Sequence, residues 1–235
     1  MLDAVLWGAI AAASLVVGAL VAFIRPVSDR VLGLVLAFGA GVLISAVAYE
    51  LVEDAVNEGL RSPLIAVGFA LGAVVFYVGS RARERRGGSG SEGDGNAIVL
   101  GAVLDGIPES VVLGLSLVGG AGISVPFLAA VFISNVPESL GASADLLRSG
   151  TSRTRIVLTW TAVVVASGLA AGLGYGLLSA APREVVAAVQ TFAAGAIIAM
   201  LAESMMPEAF AKGGRAVGLA TAFGFALSAL LTFSS

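Results

Sequence analysis

Two stretches of the chain carry proline, carboxylate and hydroxyl in the same order. One is Val103-Leu104-Asp105-Gly106-Ile107-Pro108-Glu109-Ser110 and the other Ile133-Ser134-Asn135-Val136-Pro137-Glu138-Ser139. On a helix, Asp105 and Glu109 stand at i and i+4 and share a face. Ser134 and Glu138 do the same, with Asn135 three residues before Glu138 on an adjoining face. Pro108 has no N–H to give the carbonyl of Leu104, and Pro137 has none for that of Ile133. Carboxylates, an amide, hydroxyls and freed carbonyls form two oxygen-rich faces that suit a cation. Asp105, Glu109, Ser134, Asn135 and Glu138 are therefore the candidate metal ligands. The competing reading is a kink at each Pro-Glu with its Glu protonated and hydrogen-bonded. Two copies of one tripeptide, with a third carboxylate a turn away, are hard to explain by packing alone.

The elements that hold these acids must be membrane helices. Of 235 residues, 58% are apolar and only 12% charged, and the mean hydropathy is +1.00, which no soluble surface tolerates. Apolar runs bounded by Arg, Pro and Gly predict helices over 4–24, 31–50, 64–80, 97–118, 125–146, 156–178, 185–204 and 215–233, each near the ~20 residues that cross ~30 Å of hydrocarbon. The expectation is an all-α integral membrane protein with eight transmembrane helices, a single domain over 1–235. Met1, Leu2 and Asp3 lack the positive n-region of a secretory signal and 4–24 is too long for its h-region, so the first helix is expected to be mature. In hydrocarbon an ionised carboxylate costs at least ~2.5–3.5 kcal/mol on insertion scales, and a bound cation would compensate the acids of the fourth and fifth helices.

Eleven of the thirteen Lys and Arg fall in alternate loops: Arg25 and Arg30; Arg81, Arg83, Arg85 and Arg86; Arg148, Arg153 and Arg155; Lys212 and Arg215. Only Arg61 and Arg183 fall in the others, so both termini are expected to be extracytoplasmic. The Gly/Ser-rich charged stretch 81–96 is expected to be a flexible cytoplasmic loop. Phe38-Gly39-Ala40-Gly41-Val42-Leu43-Ile44 and Phe192-Ala193-Ala194-Gly195-Ala196-Ile197-Ile198 resemble each other at an offset of 154. With that topology they run in opposite directions, predicting an inverted repeat of helices 1–3 and 6–8 around helices 4 and 5. General enrichment of membrane helices in Gly and Ala is the alternative.

Further acids close the second and seventh helices: Glu50, Glu53 and Asp54 at the predicted outer end, Glu203 and Glu208 at the predicted inner end. A track would run from Glu50 through the central acids to Glu203 and Glu208; solvation of helix-end charges is the simpler reading. Met200, Met205 and Met206 flank Glu203, as packing residues or thioether ligands. There is no Cys and no His, which excludes disulfides, thiolate ligation and imidazole chemistry.

The paired Pro-Glu motifs, eight helices, external termini and variable loop after helix 3 resemble the ZIP family of zinc and iron transporters along the whole chain. The family's helix 4 typically has His-Asn-x-Pro-Glu-Gly where this chain has Asp105-Gly106-Ile107-Pro108-Glu109-Ser110. Its metal-facing positions on helix 5 fall on Ser134, Asn135 and Glu138. His-Glu-x-x-Pro-Glu of helix 7 falls on Glu203 to Glu208, and His-Leu-Leu-Pro-Glu of helix 2 on Glu50 to Asp54. Every family His is replaced by an acid, which shifts preference toward harder ions. The helix 6 Glu of some relatives is missing, since Ser167-Gly168-Leu169 runs into Ala170 and Ala171. The resemblance implies a mobile body of helices 1, 4, 5 and 6 that carries the metal.

The resulting expectation is uptake of a divalent cation (Zn, Mn, Fe or Cd) into the cytoplasm across the plasma membrane by a multi-pass protein, with the ion as transported substrate and no prosthetic group. The alternative is a proton-coupled carrier of a small organic cation whose acids titrate. No enzyme activity and no nucleic-acid partner are expected; the partners are the ion and the lipid bilayer, with a homodimer left open.

Overall fold

In a computed structural model, residues 1–24, 27–59, 61–86, 95–120 and 122–234 are described; at 62, 83–86, 95–100 and 102–104 the description extends to the backbone alone. The described chain is all helical. Its α-helices are α1 (Leu2–Ile24), α2 (Asp29–Ala46), α3 (Glu53–Asn57), α4 (Ser62–Arg86), α5 (Gly95–Ser116), α6 (Val125–Arg148), α7 (Arg153–Leu178), α8 (Arg183–Met200), α9 (Met206–Gly213) and α10 (Val217–Ser234). Serines set several starts: the Oγ of Ser28, Ser124 and Ser152 accepts the amide of Val31, Phe127 and Arg155, satisfying donors that a helix N-terminus leaves open.

Among the described residues, six stretches are long and apolar enough to cross a bilayer: Leu2–Ile24, Asp29–Asn57, Pro63–Ala82, Val125–Arg148, Arg153–Leu178 and Arg183–Thr232. The last has 50 residues, more than twice the ~20 of one crossing, and Gly214 breaks it with φ 65°. The helix over Gly95–Ser116 is present but is not one of the six.

Two expected boundaries shift. α4 continues through Arg86, so the first third of the expected loop 81–96 is helical, and α5 already begins at Gly95; the rest of that loop, 87–94, lies outside the described residues. The second and seventh helices also run past their expected ends, through a π-helical turn in each, Val47–Val52 and Leu201–Met205. A π turn accommodates one more residue than an α turn and rotates the next helical segment by about one residue's step. The two turns begin 154 residues apart, the offset of the Phe-x-x-Gly segments.

Both the interior and the outer surface are largely apolar, with Trp160, Phe127, Leu36, Leu43 and Ile197 fully buried. Small and hydroxylic residues share the interior with these, including Ser14, Ser45, Ser139, Ser143, Ser167 and Thr191. Large apolar side chains face outward, as Leu64, Val67, Leu71, Val74 and Val78 do along α4. Lipid, unlike water, gives no penalty for that arrangement, while small residues let helix backbones approach. Gly41 lies against the carbonyl of Thr221 and Gly224 against that of Phe38, joining α2 to α10; Gly195 lies against the carbonyl of Phe69 and Gly72 against that of Phe192, joining α8 to α4.

Contact register gives direction. Gly33 lies against Gly213 and Gly39 against Met205, while Glu58 pairs with Arg183 at 3.3 Å, so α2–α3 and α8–α9 are antiparallel. α1 packs on α6 and α7, and α5 packs on α7, while α2 pairs with α10 and α4 with α8. These two helix sets meet chiefly where α2 crosses α6 and α5 crosses α8. At one end Arg148 reaches Asp29 at 3.8 Å and Arg153 lies over the Phe23 ring.

Candidate functional site

α5 and α6 run as continuous helices through Pro108 and Pro137, and each proline leaves its Glu one residue further along. Glu109 and Glu138 line one small cavity with Asn135 and Ser110. α1 closes it with Ala11, Ala12 and Leu15, and α7 with Ser167. All of its walls therefore belong to α1, α5, α6 and α7. The space open to the centre of a water-sized sphere is about 10 Å³, enough for about one water or one desolvated ion.

The polar lining is deeply placed: Glu109 is 3%, Ser110 4% and Asn135 6% exposed. Glu138 is half-buried. Among the described residues, no hydrogen bond or ion pair reaches the carboxylate of Glu109 or Glu138. Two acids thus share a cavity without a positive partner among the described residues. Asp105, one turn before Glu109, is half-buried and close enough to interact electrostatically with both acids. No cluster of three acids within metal-binding reach occurs among the described residues. An ion held here would take two carboxylates, the Asn135 amide oxygen and hydroxyls from Ser110 and Ser167.

Other expected residues fall elsewhere. Ser134 donates to the carbonyl of Val131 at 3.0 Å and its Cα lies against Gly39 of α2, because Val131, Asn135 and Glu138 share the face toward the cavity while Ser134 sits beside it. Ser139 bonds back to the carbonyl of Asn135 at 2.9 Å and faces Gly18 of α1. Glu50, inside the first π turn, accepts Ser124 Oγ at 2.6 Å. It lines a wider vestibule of about 400 Å³ with Asp54, Glu58, Ser116 and Gln190. Glu203, inside the second π turn, is exposed and accepts Ser80 Oγ from α4 at 2.7 Å, so it is not brought to the cavity.

Glu208 approaches from α9. A Cβ at Gly141 would meet its Oε1 at 3.4 Å, and it interacts electrostatically with Glu138, one turn earlier on α6. Lys212 Nζ holds the same oxygen at 2.7 Å. Met200 and Met205 are buried in the core, and the sulfur of Met206 lies 4.0 Å from Thr221 Oγ1.

Ala11 and Ala12 are cavity walls that the motifs do not point to, whereas Ser167 belongs to the Ser167-Gly168-Leu169 segment already singled out in the sequence. The run Ala11-Ala12-Ala13 in α1 is the signal for a close approach there. Lys212 reads in the sequence as loop charge; its spacing of four from Glu208 is the clue to their pairing.

No protein-family model matches the chain, and no curated protein is detectably similar to it.

Proposed function

We propose that this protein is a transporter of the ZIP type that moves a divalent metal cation (zinc, manganese, iron or cadmium) into the cytoplasm by alternating access, with Glu109 and Glu138 holding the ion at mid-membrane. The observation that carries the reading is the pair of acids from two helices in a water-sized cavity with no cationic partner among the described residues. Such a pair is stable only when a proton or a cation offsets the charge. The cavity's size favours a bare metal ion over an organic cation, and its oxygen-dominated lining favours harder ions among the divalent metals.

The eight-crossing, inverted-repeat topology belongs to the same proposal. Support comes from the antiparallel course of α2–α3 and α8–α9, the matching π turns, and the glycine contacts that pair α2 with α10 as α8 pairs with α4. The fifty-residue apolar stretch would make two crossings and Gly95–Ser116 one, with the eleven basic residues facing the cytoplasm and both termini outside. In that arrangement the cavity rides on α1, α5, α6 and α7 as one body, and the vestibule of Glu50 is its outer approach.

The test is uptake of Mn²⁺, Zn²⁺, Fe²⁺, Cd²⁺ and Mg²⁺ into proteoliposomes, each ion competed against the rest. Saturable uptake of at least one, lost in Glu138→Gln with the variant still folded, is the expected outcome. Full transport by Glu138→Gln would refute this site; no uptake of any ion would leave the acids as titrating groups.

A further inference from the structure

Glu208 lies at the far side of Glu138 from the vestibule, on the other helix set, with its Oε1 over the gap left by Gly141. Gly141 comes three residues after Glu138 and shares its face of α6. A cation leaving Glu138 in that direction meets Glu208 as the next carboxylate. That carboxylate already has a cation: Lys212 Nζ at 2.7 Å. An exposed Glu-Lys pair at i and i+4 would steady its helix and do nothing more. This pair differs, because the Lys212 side chain is only 20% exposed, although that of Glu208 is 41% exposed, and the bonded Glu208 oxygen lies against Gly141 of α6.

We propose that Lys212 is a tethered competitor for Glu208: its ammonium occupies the acid that a departing ion would otherwise bind, so the ion is passed on instead of trapped. This rests on the proposed cation transport. Lys212 acts through Glu208 and is a positioning residue. Without it, Glu208 becomes a free carboxylate beside Glu138, which tightens binding of the ion and slows its release.

The test measures equilibrium binding of Mn²⁺ to the purified full chain, together with Mn²⁺ uptake into proteoliposomes. Lys212→Met keeps the length of the stem and removes the charge; Lys212→Gln is a second neutral variant in case the first does not fold. Both are expected to bind Mn²⁺ about tenfold tighter, within the usual range of coupling between sites, and to turn over more slowly, while Lys212→Arg restores wild-type affinity. In a Glu208→Gln background the Lys212→Met effect should vanish. Unchanged affinity in both neutral variants, with wild-type binding intact and lost in Glu109→Gln, overturns the competitor role and leaves the transport reading standing. An effect that persists in Glu208→Gln overturns it too. No Mn²⁺ binding by the wild type, and none of Zn²⁺ or Cd²⁺, overturns both.

Discussion

Replacing Glu109 by Gln should make the ion-free protein more stable at alkaline pH, where the acid is ionised, while removing its response to metal. Glu109 is 3% exposed and shares its cavity with Glu138. An ionised carboxylate at mid-membrane costs ~2.5–3.5 kcal/mol on insertion scales. Gln preserves the shape but brings an amide whose hydrogen bonds are incompletely met, costing about 1–2 kcal/mol. The net gain is about 0.5–2.5 kcal/mol, and at ~2–4 °C per kcal/mol for a chain of this size the melting temperature should rise by about 1–10 °C. The wild type should instead gain about 2.7 kcal/mol from an ion at one hundred times its Kd. Thermal unfolding in detergent, with and without Mn²⁺, reads both effects. A Glu109→Gln protein that melts below the ion-free wild type at alkaline pH, or that shifts with Mn²⁺ as the wild type does, refutes the reasoning that only a proton or an ion compensates this carboxylate.

Other expectations concern the approach and the scaffold. Glu50→Gln removes charge from the vestibule while its amide oxygen can still accept from Ser124; KM for the ion should rise by about threefold or more, exceeding any fall in kcat, and become less sensitive to salt, as loss of electrostatic steering requires. Equal salt dependence in variant and wild type would count against that role. Gly195→Val drives a side chain into the carbonyl of Phe69; overpacking of at least about 3 kcal/mol should abolish the monodisperse folded protein in detergent, whereas Gly218→Ala, with nothing within 4 Å, should be neutral.

Much of the architecture is legible in the sequence because lipid imposes a simple rule on composition. Apolar length predicts each helix to within a few residues wherever a capping Ser or a run of charge marks the end, as at Ser124 and Ser152. It fails where the backbone itself departs from the α register. Nothing in Val47–Val52 or Leu201–Met205 announces an extra residue per turn, since these stretches have ordinary helix formers, and so the apolar pattern ends both helices too early. The same turns separate the fates of Glu50 and Glu203, one lining the vestibule and the other bonded to Ser80 on α4. Of the central residues, Glu109, Asn135 and Glu138 meet as their spacing indicates. Ser134 does not, because i and i+4 spacing names a stripe on a helix but not which neighbour that stripe faces; here Gly39 of α2 takes it.

The paired π turns bear on history as well as on geometry. A π turn holds one residue more than the α turn it replaces, and such turns are rare within α-helices. If the halves are copies of one ancestral three-helix unit, the extra residue at the same place in both was inherited from that unit, before duplication and fusion. On that reading the ancestor would already have carried the irregular helix, and Glu50 and Glu203, one position apart when the two π turns are superimposed in register, would record how the halves later specialised within an inherited backbone.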